Sequence, residues 1–84
     1  MGDKRYLIYG VKACPYCVLA INYLTNLNQE VIFFNLEADL EFLDEAKRFY
    51  GSSTVPIILE NNNSSGSINF IGGYSDLCAT QVEG

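Results

Sequence analysis

Two of the three cysteines in this 84-residue chain stand in one short stretch, "ACPYC", with Pro15 and Tyr16 between Cys14 and Cys17. That spacing suits a metal site, a redox couple or a structural staple. A structural zinc ion takes four ligands, usually two such pairs or cysteines joined by histidines. The chain has no histidine and one further cysteine, Cys78, so no metal is expected. A Cys14–Cys17 staple would close a tiny loop and restrict the unfolded chain very little. A redox couple remains. It asks for one thiol held as a thiolate and a second within reach of it.

The elements that must position the pair can be read on either side of it. "KRYLIYG" (Lys4 to Gly10) is short, rich in Tyr, Leu and Ile, and stops at Gly, so it predicts a strand. "CVLAINYLTNLN" places Cys17, Ile21, Leu24 and Leu27 at helical spacing, and Pro15 suits a first helical turn. The cysteines therefore fall where a strand ends and a helix begins. There the unpaired N–H groups and the helix dipole favour a thiolate on Cys14, with Lys12 as a nearby cation. Cys17, one turn further in, is expected to be less exposed. Cys14 then attacks, Cys17 resolves, and Pro15 stiffens the backbone between them.

"EVIFFNL" (Glu30 to Leu36) predicts a second strand, and its unbroken apolar run suggests burial on both faces. "ADLEFLDEAKRFYG" predicts a helix capped by Asp39, with Leu40, Leu43, Ala46 or Lys47, and Tyr50 on one stripe and Gly51 as its stop. "PIILE" and "SINFIGG" predict a hairpin joined by "NNNSSG", and "SDLCATQVE" a last short helix capped by Ser75 or Asp76. The order strand, helix, strand, helix, hairpin, helix predicts an α/β fold. Its first unit is a right-handed parallel crossover, and its four-stranded mixed sheet is flanked by three helices. A Cys-x-x-Cys beside such a crossover is the sequence sign of a thioredoxin-like redox fold. Residues 1–84 are expected to form a single domain.

Composition narrows the partners. A net charge of −5, with only Lys4, Arg5, Lys12, Lys47 and Arg48 basic, excludes a basic patch for nucleic acid. No apolar run approaches a membrane span, and "MGDKRYLIYG" lacks a signal-peptide pattern. Tyr6 stands where a Gly2 myristoylation motif wants Ser or Thr. Asn62 and Asn63 match glycosylation acceptors only as loop composition. An odd cysteine count without an export pattern points to a cytoplasmic, reducing setting. Apolar residues at 49%, with six Tyr and five Phe, are enough for a packed core.

Three separated stretches then agree with one family. "CPYC" (Cys14 to Cys17), "TVP" (Thr54 to Pro56) and "GGYSDL" (Gly72 to Leu77) resemble the glutaredoxins, in that order and over nearly the whole chain. The likeness is greatest to small dithiol glutaredoxins of bacteria and their phages. It implies a glutathione-dependent thiol–disulfide oxidoreductase, acting in electron transfer from glutathione to protein disulfides and glutathione mixed disulfides. Ribonucleotide reductase is a family acceptor, and the family works as a monomer at about −200 to −230 mV.

The resemblance also implies roles by position. Pro56 matches the family's cis-proline opposite the cysteines, and Val55 would pair strand-like with the cysteinyl part of glutathione beside Thr54. Gly72 and Gly73 would let the chain approach the ligand. Ser75 and Asp76 would receive the γ-glutamyl group at a helix start, and Tyr16 would line the groove. Lys12 would reach the glycyl carboxylate. Relatives carry a basic residue where this chain has Val11, and often another before "TVP", where it has "YGSS". Two other readings stay open: a glutaredoxin-like protein reduced by thioredoxin reductase, and an iron–sulfur carrier ligated by Cys14 and glutathione from two chains. Cys78 is expected to be a buried small hydrophobe, or else a thiol that is glutathionylated or cross-links two chains.

Overall fold

A computed structural model describes residues 4–80. The elements run β1 (Lys4–Gly10), α1 (Pro15–Asn26), β2 (Glu30–Asn35), α2 (Leu40–Tyr50), β3 (Ile57–Asn62), β4 (Ile68–Gly72) and α3 (Tyr74–Ala79). The strands form one mixed sheet in the order β2-β1-β3-β4. β1 is parallel to β2, with Leu7 opposite Ile32, and antiparallel to β3, with Ile8 opposite Ile58. This is the predicted α/β, thioredoxin-like arrangement.

Side-chain alternation along β1 divides the core between two layers. Tyr6 and Ile8 pack with Ala20 and Leu24 of α1, Ile58 of β3 and Leu77 of α3. Tyr9, next after Ile8 and of opposite phase, faces α2: its ring lies 6.0 Å from that of Phe42. Leu43 and Ala46 are the buried residues of α2. Each fully buried Leu or Ile of this kind stabilises by roughly 1.5–3 kcal/mol relative to leaving it in water.

Local chemistry sets the helix ends. Asp39 caps α2 as expected, its Oδ1 accepting the Phe42 N–H at 3.2 Å. Gly51 ends that helix at φ 65°, in the left-handed region where glycine lacks a Cβ to clash. Leu40, assigned to the buried stripe, is exposed at the first turn.

Three sequence expectations are corrected here. β2 is not buried on both faces: it lies outside β1 at the edge of the sheet, and Phe34 is left exposed, stacked on Tyr9 at 4.9 Å. The doubly covered strands are the inner pair, where Ile57, Ile58 and Leu59 are almost fully buried. Helix α3 starts one residue earlier than expected, and Gly73, not Ser75 or Asp76, is its cap. Cys78 is exposed, because Leu77 takes the inward position of α3 and the next residue turns about 100° away. Residues 81–84, the end of the predicted last helix, lie outside the described residues.

Candidate active site

The cysteines sit at the carboxyl end of β1, as the sequence predicts. Cys14 is the cap of α1 with extended backbone (φ −78°, ψ 121°), and Pro15 opens the helix. The Cys14 carbonyl accepts the N–H groups of Cys17 at 3.1 Å and Val18 at 3.3 Å. Its thiol is partly exposed and points across to the Val55 carbonyl, Sγ to O 4.0 Å. The Val55–Pro56 peptide is cis. The "CPYC" and "TVP" stretches thus meet although 41 residues separate Cys14 from Val55.

Cys17 has the opposite environment. It is fully buried, and Gly10 is what makes room for it: a Cβ at Gly10 would run into the Cys17 sulfur. Burial pushes the Cys17 thiol up to about 11, opposed by a hydrogen bond from the Val11 backbone and reinforced by the hydrogen bond and charge of Cys14. The outer sulfur meets solvent and the inner one holds its proton. That is the asymmetry an attacking and a resolving thiol require.

The raised value also fixes a pH response. A thiol whose folded pKa lies above its ordinary 9.0 contributes stability that is complete below about 9 and is lost as pH climbs through 11. Tyr6 acts in the same sense one unit higher: burial and its 3.1 Å hydrogen bond to Glu60 raise its phenol from 10.0 to about 12. Denaturant midpoints should therefore hold level up to about pH 9 and fall above it. In Cys17→Ser the fall should begin nearer pH 10, where the raised phenols of Tyr6, Tyr9 and Tyr74 act without the thiol.

A groove of about 590 Å³ opens beside the cysteines. Tyr16 forms one wall, and Thr54, Val55 and cis-Pro56 form the floor. Gly72, Gly73, Ser75 and Asp76 close the far end. The β3–β4 ladder shifts register there: Ile58 pairs with Gly72 and Leu59 with Phe70, so Ile71 is an extra residue on β4. Such a bulge bends the strand and re-aims its end, here into the groove. Gly72 follows it at φ 124°, and a Cβ there would collide with the Asp76 carboxylate. That carboxylate accepts the Gly73 N–H at 2.9 Å, which fixes the turn into α3.

The structure therefore brings Tyr16, Thr54, Val55, Pro56, Gly73, Ser75 and Asp76 together along one groove; Cys14 does not line it but meets it through the Val55 carbonyl, 4.0 Å from its sulfur. Lys12 is not among the lining residues: it is exposed on the turn before Cys14, its backbone N–H donating to Asn35 Oδ1 at 3.0 Å. Sequence reasoning missed Tyr74, Phe70, Ile71, Gly51 and Ser52, which also line the groove. Tyr74 had a signal, since it lies inside "GGYSDL". Its ring stands 6.1 Å from Tyr16 and edge-on to Tyr23 at 6.4 Å. A hydrogen bond with Cys78 is the main reason its phenol is raised above the ordinary value.

The glutaredoxin family model matches residues 6–63, most of the chain, including both cysteines and Thr54–Pro56. The chain belongs to the glutaredoxin family. Family membership makes this domain a thiol–disulfide oxidoreductase and agrees with the α/β sheet described above. Glutaredoxins in general draw electrons from glutathione and act on disulfide-containing proteins. Among curated proteins none gives a significant match. The matched segment of this glutaredoxin stops before Gly72, so the far end of the groove is known from its geometry. No three His, Cys, Asp or Glu side chains among the described residues group as metal ligands. No helix among them is long and apolar enough to cross a membrane.

Proposed function

We propose that this glutaredoxin reduces protein disulfides and glutathione mixed disulfides with glutathione as its reductant. Cys14 is the nucleophile and Cys17 the resolving thiol. The observation that carries the reading is the groove from Tyr16 past cis-Pro56 to the start of α3, whose Val55 carbonyl lies 4.0 Å from the Cys14 sulfur. It offers an extended, sulfur-bearing tripeptide a backbone edge at Val55. Asp76 offers a carboxylate, one of whose oxygens is already used by Gly73.

The steps need only thiol chemistry. The Cys14 thiolate attacks the glutathionyl sulfur of a mixed disulfide. The old S–S bond breaks, the substrate leaves as a thiolate that takes up a proton, and Cys14 now holds glutathione. A glutathione thiolate then attacks that glutathionyl sulfur, releasing glutathione disulfide and the Cys14 thiolate. On a protein disulfide, Cys14 first forms a mixed disulfide with the protein. Cys17, giving up its proton, attacks the Cys14 sulfur, frees the protein thiolate and leaves Cys14 and Cys17 joined. Two glutathiones reduce that pair and leave as glutathione disulfide.

Within this reading Tyr16 shields the reacting sulfurs and Thr54 and Val55 hold the cysteinyl backbone. Gly73, Ser75 and Asp76 hold the γ-glutamyl end. Lys12, two residues before Cys14, supplies the nearest cation in sequence. The protein acts as a cytoplasmic monomer on glutathionylated or disulfide-bearing proteins, a class that includes ribonucleotide reductase in this family.

The test is reduction of glutathionyl-cysteamine coupled to NADPH and glutathione reductase. Turnover that saturates with glutathione, and falls about tenfold or more in kcat/KM for Asp76→Ala, is the expected result. Turnover with thioredoxin reductase in place of glutathione would overturn the proposal.

A further inference from the structure

The last turn of α2 and the loop after it border the groove and contain two features that glutathione reduction does not use. The first is a pair of cations. Lys4 and Arg5 are engaged with Glu60 at 3.5 Å and Glu30 at 3.2 Å. Among the described residues, Lys47 and Arg48 form no ion pair, although Asp44 shares their surface. With Ser52 and Ser53 they line a hollow of about 410 Å³, and its Gly51 and Ser52 are also groove residues. The C-terminal dipole of α2 alone accounts for one or two cations here. It does not account for large rings left in water beside them.

Those rings are the second feature. Phe49 is 80% exposed. It meets Tyr50 edge-on at 4.8 Å, Tyr50 stacks on Phe70 at 5.3 Å, and Phe70 forms part of the groove wall. On the other side Phe49 and Tyr50 border a hollow of about 300 Å³ with Tyr9, Phe42, Ala46 and one carboxylate residue, Glu45. An aromatic ridge therefore leaves the groove directly beside the only unpaired cations of α2. The adjoining β4 edge carries Ile68 and Phe70 exposed, with none of the charges or prolines that usually protect an edge strand.

Cations and exposed rings together ask for a partner that is acidic and apolar on the same side. We infer that the surface formed by Lys47, Arg48, Phe49 and Ile68 docks the protein part of the substrate. The preferred substrate is a disulfide whose cysteine is flanked by acidic and large apolar residues. This rests on the proposed function, since the groove presents the sulfur and the ridge holds the chain around it.

Two glutathionylated decapeptides with one central cysteine test the inference, one carrying Glu and Phe around it and the other Lys and Ser. The wild type should favour the first by roughly tenfold in kcat/KM. Lys47→Glu/Arg48→Glu and Phe49→Ser should each remove most of that preference and leave glutathionyl-cysteamine turnover unchanged. Equal rates on the two peptides, or a preference that both variants retain, would overturn docking here. If glutathionyl-cysteamine itself is not turned over, the glutathione reading fails by itself. NMR titration with the Cys→Ser peptides then settles docking: shifts at Lys47–Ser52 and Ile68 support it, and their absence overturns it. Shifts at those residues on simple dilution would show a self-association surface and overturn it too.

Discussion

Replacing Cys14 by Ser should reduce thiol–disulfide exchange by on the order of 10³-fold or more, the scale of losing an essential nucleophile. Replacing Cys17 by Ser should leave reduction of glutathionyl-cysteamine within a few-fold of wild type and abolish reduction of intramolecular protein disulfides. The two sulfurs sit one helical turn apart and differ in access. Cys14 is partly exposed with its Sγ 4.0 Å from the Val55 carbonyl, whereas Cys17 is fully buried with its thiol held near 11. A buried thiol cannot meet a substrate first, but it can attack a disulfide formed on its neighbour. Steady-state rates on both substrate types separate these roles. Residual exchange in Cys14→Ser comparable to wild type would transfer the nucleophile elsewhere, with exposed Cys78 the next sulfur to test.

Gly72→Ala should lower unfolding free energy by about 2–4 kcal/mol, combining a strained backbone with overpacking. At φ 124° an L side chain is strained whatever the space, and here the added methyl also meets the Asp76 carboxylate. That carboxylate is the group that accepts the Gly73 N–H and fixes the turn into α3. The same substitution should therefore raise KM for glutathione more than it lowers kcat, because the displaced group lies at the far end of the groove and not at the sulfurs. A urea midpoint that falls with an unchanged slope is the stability readout. A variant as stable as wild type would mean that the turn relaxes and that Gly72 is not needed there.

These effects trace back to residues of very different legibility. The Cys-x-x-Cys pair, Asp39, Gly51 and the strand–helix–strand order act through short-range chemistry, and a single sequence displays them. Burial is different, because it depends on which strand lies inside the sheet. The run "VIFF" of β2 is more apolar than an edge strand needs, and only the order β2-β1-β3-β4 shows that its outer side is uncovered. Cys78 was misjudged for a related reason: one residue of phase on α3 separates buried Leu77 from an exposed thiol. Residues supplied by folding alone were the least legible. Phe70 and Ile71 reach the groove through a register shift in β4, and no local pattern announces a bulge.

In the proposed cycle Cys14 alone receives glutathione. Incubating Cys17→Ser with glutathione disulfide, followed by peptide mapping with mass spectrometry, measures it directly. Fast, stoichiometric glutathionylation of Cys14 is expected, with Cys78 modified far more slowly. Glutathione found first on Cys78, or on neither cysteine, would contradict it.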